Sequence, residues 1–204
     1  MRPLTPEAFC VATSVSRETM SRLELFADAL IKWNRGVNLV SEASLADIWR
    51  RHFLDSAQLL ALAPPTCQTW VDLGAGAGFP GLVLAIMGAP DVHLIESNQR
   101  KCEFLRATAR QTATKVTIHC QRIEDMTKLN ADVITARAIG PLAKLIDLAN
   151  AFAKQDTLGL FIKGSKFGTE LTALAKYPTI QLELVKSRSH ASGVILRVKG
   201  FDNS

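Results

Sequence analysis

The 204-residue chain has little from which to build a metal centre or a disulfide frame. Its four cysteines, Cys10, Cys67, Cys102 and Cys120, lie far apart, with no C-x-x-C pair and no nearby histidine set at zinc-finger spacing. They read as free thiols, buried or incidental, and no metal is expected. No stretch approaches the roughly 20 apolar residues of a membrane span, and the N-terminus lacks a basic region followed by a long apolar run. A soluble, cytoplasmic, reduced protein is the expectation. There is no internal repeat and no low-complexity segment. With 48% apolar and 21% charged residues, disorder is not the default.

What is present is a modest cationic excess, +5 overall. Residues 1–66 hold seven basic and seven acidic side chains, 67–159 hold ten and nine, and 160–204 hold seven and three. Most of the excess thus sits in the last quarter. It is compatible with a solvated basic surface and with a patch that faces phosphate.

The pattern of apolar residues divides the chain at about residue 66. From Ser16 to Trp33, Met20, Leu23, Phe26, Leu30 and Ile31 recur at helical spacing. A second helix is expected from Ser44, as N-cap with Asp47 three residues on, to Leu62 before the Pro64-Pro65 stop. Beyond Cys67 the period changes. Short apolar runs, "QTWVDLG", "DVHLIES", "KVTIHCQ", "ADVITARA" and "LGLFIKG", alternate with helical segments such as Arg100–Gln111 and Pro141–Ala153. That order implies βαβ units and a parallel sheet. Two last runs, "IQLELVKSRS" and "GVILRVKG", leave no room for a helix and read as an antiparallel hairpin on the sheet edge. The expectation is an α/β, Rossmann-like, mostly parallel seven-stranded sheet domain, 67–204, preceded by an N-terminal helical segment, 1–66.

In such sheets ligands bind beyond the carboxyl ends of the strands. The first strand ends in "VDLGAGAGFPG", where Gly74, Gly76 and Gly78 allow a tight turn against bare backbone, and Pro80 suits the start of a helix. About twenty residues on, Glu96 closes the second strand, where a carboxylate can accept hydrogen bonds from both ribose hydroxyls of a nucleoside. The third strand ends near Ile123 and Glu124, the fourth at Arg137, and the fifth at Lys163 and Lys166. A tight connection and a solvated acid explain the first two features separately; the offset between them favours nucleoside binding. The dinucleotide fingerprint G-x-G-x-x-G is broken, because Phe79 stands where the third Gly belongs, and no lysine completes a P-loop. Asp72-x-Gly74-x-Gly76-x-Gly78 instead resembles the first motif of class I S-adenosylmethionine-dependent methyltransferases.

With that motif, "KWNRGVNLVS", "RRHFLDS", "LIESNQRKCEFLR", "ITARAIGPL" and "FIKGS", in this order along most of the chain, the sequence resembles the bacterial 16S ribosomal RNA (guanine-N7)-methyltransferase G family, also called glucose-inhibited division protein B. The resemblance implies S-adenosylmethionine as cofactor and methyl transfer to N7 of one guanine in the decoding-region loop of 16S RNA, with 67–204 as the S-adenosylmethionine-binding methyltransferase domain and 1–66 as a candidate for RNA contact. It implies cofactor contacts at Gly74 and Phe79, adenine-side contacts at Ile123 and Glu124, and a cofactor or substrate contact at Arg137. Glu96 takes the ribose place, where relatives often carry Asp. Asp72, Gly76 and Gly78 complete the cofactor set. N7 has an exposed lone pair, so no general base is required, and Arg137 and Lys163 are positioning candidates. Arg50, Arg51, His52, Lys163 and Lys166 are RNA-contact candidates. For His52 a structural hydrogen bond competes with that role, and for the two lysines a solvated loop does. Trp33, Trp49 and His93 read as structural. Nothing in the sequence asks for a dimer, so a monomer acting on 16S RNA, as subunit or assembly intermediate, is expected. Two other readings stand beside this one: a nicotinamide-dependent oxidoreductase, and a non-catalytic RNA-binding module with a vestigial cofactor pocket.

Overall fold

A computed structural model describes residues 2–201, apart from the side chains of residues 165–167 and 173. Two capped helices open the chain. In α1, Pro6–Thr13, the Thr5 hydroxyl accepts the Ala8 amide and Pro6 occupies the first turn, where its missing N–H costs nothing. The sequence reading passed over this helix although Thr5-Pro6-Glu7 is a start signal. In α2, Arg17–Asn34, the Ser16 hydroxyl accepts the Thr19 amide, and Met20, Leu23, Phe26, Ala27 and Leu30 form the buried face.

The second expected helix is a correction. Ser44 is not its cap: α3, Glu42–Leu45, begins after Ser41, and the Ser44 hydroxyl bonds back to the Ser41 carbonyl. After a turn the chain makes a widened π-helical segment, Trp49–Leu54, then α4, Asp55–Ala57, and a 3-10 turn, Leu60–Leu62. Residues 52–59 are all buried, so this segment has no solvent face and no single helical period.

The strands β1 (Trp70–Leu73), β2 (Val92–Glu96), β3 (Thr117–Cys120), β4 (Ala131–Arg137), β5 (Ala153–Lys163), β6 (Gln181–Lys186) and β7 (Val194–Lys199) form one sheet in the order β3-β2-β1-β4-β5-β7-β6. The first five are parallel; β7 runs antiparallel to β5 and β6, as the terminal hairpin requires. The expected fold class is the observed one. Helices α5 (Gly81–Ile86), α6 (Gln99–Gln111) and α7 (Leu142–Asn150) make the crossovers. Side chains alternate across the sheet. Trp70 and Val133 join Phe26, Phe53 and Phe104 on one face, whereas Val71 and Ile134 join Leu145, Ile146 and Phe152 on the other. The N-terminal helices, α5 and α6 therefore share one core with half of the sheet. Sheet order reverses between β1 and β4, which places the crevice for a ligand at their carboxyl ends.

Candidate active site

The glycine turn after β1 is held from below by a buried carboxylate. Asp72 is 1% exposed; its Oδ2 accepts the Gly81 amide at 2.9 Å and its Oδ1 the Thr135 hydroxyl at 2.8 Å. A Cβ on Gly81 would lie 2.7 Å from Asp72 Oδ2 and 2.4 Å from Leu94 Cδ2, so only glycine lets the acid come this close. Burial pushes the Asp72 carboxyl up to about 7 against the pull of those two donors. Asp72 was expected among the cofactor contacts; the structure makes it the support of the loop, with both oxygens engaged inside the protein. Gly74, Gly76 and Gly78 all adopt positive φ, which fits the expected tight turn.

Glu96 closes the same loop from the side. It is 8% exposed, and its two oxygens accept the Gly76 amide at 2.9 Å and the Asn98 amide at 2.8 Å. Each carboxylate oxygen keeps a further lone pair for a hydroxyl. Gly74, Glu96, Ile123 and Glu124 come together around one cavity of ≈ 170 Å³, with Ile139 and Lys144 among its other walls. An acid at a strand end, bare backbone and an aliphatic wall form a lining that fits the ribose and base of an adenosine-containing cofactor.

Next to it lies a second cavity of ≈ 380 Å³, lined by Arg51, Asp55, Arg137, Lys163, Ser189 and His190 among others. The consecutive residues Ala138 and Ile139 line different cavities, so the loop after β4 is the partition between them. Ala138 holds φ 61°, an uncommon conformation for a residue with a Cβ, and Gly140 follows at φ 59°. Lys163 fastens this partition: its Nζ donates to the Gly140 carbonyl at 2.6 Å and to Glu170 Oε2 at 2.8 Å, and the same Glu170 oxygen accepts the Leu142 amide. Lys163 was expected to be an RNA handle. It was also a positioning candidate; its charge is paired with Glu170, it holds the loop after β4, and it lines the second cavity. Lys166 has its side chain outside the described residues.

Arg137 is the most heavily supported cation. Its Nη1 donates to the Arg51 carbonyl at 3.1 Å and to His52 Nδ1 at 2.8 Å, with Asp55 Oδ2 at 3.8 Å and the Phe79 ring centroid at 5.1 Å. His52 stacks on Phe79 with centroids 4.8 Å apart. Burial first, then Arg137 and Arg51, push the His52 imidazole down to about 3, so it is neutral and receives the Arg137 proton donor at Nδ1. Its Nε2 is buried without a hydrogen-bond partner among the described residues. His52, a candidate RNA contact, is therefore inside, 6% exposed, orienting Arg137. Phe79, a candidate cofactor contact, is 3% exposed and stacks on Phe26 at 5.0 Å; its side chain lines neither cavity. Arg50 also turns away from the site, to Asp47 Oδ2 at 3.0 Å and the Arg2 carbonyl at 2.9 Å. Arg51 alone of that trio is exposed and lines the second cavity.

The sequence reading missed Asp55. It sits within the quoted "RRHFLDS", and burial raises its pKa although Ser189 Oγ donates to its Oδ1 at 2.5 Å. Ser189 and Gln58 tie the helical segment to the loop between β6 and β7. The polar stretch "SRSHASG" in that loop was the available signal.

Sheet order, glycine turn and strand-end acid define a class, the Rossmann-like fold of methyltransferases. Solved structures agree on the fold. A TehB-like SAM-dependent methyltransferase from Corynebacterium glutamicum aligns with TM-score 0.59 at 16% identity over 85% of this chain and 98% of its own. M. jannaschii TYW2 in complex with AdoMet aligns with TM-score 0.57 at 17% identity over 80% and 77%. The family model for rRNA small subunit methyltransferase G, GidB, matches residues 19–194, and the chain belongs to that family. Proteins named ribosomal RNA small subunit methyltransferase G from Rhodospirillum rubrum and Paramagnetospirillum magneticum are 49% and 48% identical to it, over 96% and 95% of this chain and 97% and 95% of theirs.

Proposed function

We propose that this protein transfers the methyl group of S-adenosylmethionine to N7 of a guanine in the decoding-region loop of 16S ribosomal RNA. The observation that carries the reading is the pair of adjoining cavities divided by Ala138-Ile139, one with Glu96 and the glycine turn, the other with Arg137, Arg51 and Asp55. Family membership supports small-subunit rRNA as the substrate. We read the protein as a cytoplasmic monomer acting on the small subunit or on an assembly intermediate.

When bound, the cofactor supplies a methyl group activated by a sulfonium. Glu96 would accept its ribose hydroxyls, Gly74 and the turn would meet it with bare backbone, and Ile123, Glu124 and Ile139 would wall the adenine. Guanine N7 keeps an unshared lone pair at neutral pH, so the chain has no proton to remove. Its task is to hold the acceptor in line and to balance charge as the ring becomes cationic. Arg137, fixed by Arg51, His52 and Phe79, would orient the guanine or its phosphate, and Asp55 places a carboxylate on the same cavity.

The test is an incubation with methyl-labelled S-adenosylmethionine and either naked 16S RNA or small subunits, followed by digestion to nucleosides. Labelled 7-methylguanosine is expected. A different methylated nucleoside, or none with any substrate, would overturn the reading, as would calorimetry showing tight binding of NAD and none of S-adenosylmethionine.

A further inference from the structure

The cations expected to grip RNA are largely consumed inside the protein. Lys163 pairs with Glu170 and Arg50 with Asp47, while Arg137, the expected cofactor or substrate contact, is held by His52 and Asp55. A different group is free. Residues 100–115 hold five cations, Arg100, Lys101, Arg106, Arg110 and Lys115, against one acid, Glu103. That surplus of four compares with +5 for the whole chain. Arg100, Arg106, Arg110 and Lys115 are exposed, and among the described residues none of the five forms an ion pair. Arg106, Arg110 and Lys115 line a groove of ≈ 430 Å³ between α6 and β3, with Ala109, Thr114 and Ile118 among its other walls and no carboxylate.

Its position is as informative as its charge. Helix α6 starts beside the cofactor cavity, where the Asn98 cap follows Glu96, and runs back along β2 towards β3, the outer strand of the sheet. Thirteen residues of helix span about 20 Å, over which one nucleic-acid strand presents several phosphates at roughly 3.4 Å of axis each. Arginine at i and i+4 offers two planar forks that can each take a phosphate bidentately.

We propose that the outer face of α6 and the groove beside β3 form a second RNA-binding surface, which takes the phosphodiester backbone of the substrate away from the methylated nucleotide. Arg106, Arg110 and Lys115 carry it and Arg100 extends it towards the active site. The proposal rests on the reading that the substrate is RNA, and it needs no base-specific contact.

The test compares wild type with an Arg106→Ala, Arg110→Ala, Lys115→Ala variant in filter binding to naked 16S RNA over a salt series, and in calorimetry with S-adenosylmethionine. The variant should bind RNA at least about tenfold more weakly, with the slope of log affinity against log salt reduced by about 2, and should bind cofactor as wild type does. An Arg106→Lys, Arg110→Lys variant keeps the charges but gives up the planar forks, so it should keep the wild-type salt slope while binding RNA a few-fold more weakly, and that loss is the readout if the triple variant misfolds. Unchanged RNA affinity and salt slope in the triple variant overturn the proposal. So does a defect seen only with assembled subunits, which would assign the surface to a ribosomal protein. Because binding is read directly, a wild type that grips RNA through these residues but forms no 7-methylguanosine would remove the proposed activity and leave this surface standing.

Discussion

Two buried side chains set opposite pH responses at the centre of the site. His52 is pushed down to about 3 in the folded protein, and an unfolded histidine titrates near about 6.5. Between those values the unfolded chain holds one more proton, so stability rises with pH at about 1.4 kcal/mol per pH unit. Asp72 is raised to about 7 when folded, from about 3.9 unfolded. There the folded chain holds the extra proton, so this contribution is whole below about pH 4 and is lost as pH rises to about 7. The two slopes oppose each other between roughly pH 4 and 6.5, and wild-type stability should be nearly flat with respect to this pair. Removing either group exposes the other. His52→Gln should lose stability relative to wild type as pH rises through that window, and Asp72→Asn should gain it. Denaturant titrations across the window check both, and parallel curves for all three proteins would remove the paired-titration account. Glu96 belongs to the same scale. Glu96→Ala should leave the fold intact and weaken S-adenosylmethionine binding by at least about tenfold, since charged hydrogen bonds contribute about 1.5–3 kcal/mol each. An unchanged dissociation constant in calorimetry would take Glu96 out of the ribose role.

At the scale of elements, what the sequence made legible followed from local period, and what it hid followed from burial on every side. Strands β1 to β5, the crossover helices and the final hairpin were readable because alternation and helical spacing report which face is inside. Glu96 and the glycines were readable because their offset is a property of one βα unit. The direction of His52 was not readable because residues 52–59 have no outer face, so a polar residue there carries no sign of where it points. The ion pair of Lys163 was not readable because nothing in the local pattern marks Glu170, seven residues on, as its partner. The α6 cations were overlooked because acids elsewhere in residues 67–159 cancelled them in the average. The Lys163–Glu170 pair has a measurable consequence for the β4–α7 connection. Lys163→Met should cost about 0.5–1.5 kcal/mol, since it removes the donor that joins Glu170 to the exposed Gly140 carbonyl while Glu170 keeps the Leu142 amide. Because Ile139 of that loop lines the cofactor cavity, affinity for S-adenosylmethionine should fall several-fold as well. A variant with wild-type stability and cofactor affinity but weakened RNA binding would return Lys163 to the role of an RNA handle.

For the whole molecule, the boundary near residue 66 divides secondary structure but not the core. Phe26 of α2 stacks on Phe79 at 5.0 Å and lies 6.2 Å from Phe104 of α6, and Trp33 meets Phe104 edge-on at 5.7 Å. Phe53 adds a second ring against Phe79 at 5.4 Å. A chain lacking residues 1–66 would bare Phe79 and Phe104, a loss of about 3–6 kcal/mol. That is a large part of the roughly 5–15 kcal/mol that holds a typical domain together. It would also strip Arg137 of His52, Asp55 and the Arg51 carbonyl, and the hairpin loop of Gln58. The N-terminal helical segment thus shares one core with the sheet, and its Arg51 and Asp55 line the second cavity. The full chain should unfold in one transition, with tryptophan fluorescence, which reports Trp33, Trp49 and Trp70, coinciding with far-ultraviolet circular dichroism. The 67–204 fragment should keep helical signal, lose a cooperative transition and bind no S-adenosylmethionine. A fragment that melts cooperatively and binds cofactor with the affinity of the full chain would make residues 1–66 a separate appendage, and would move the determinants of Arg137 orientation out of the helical segment.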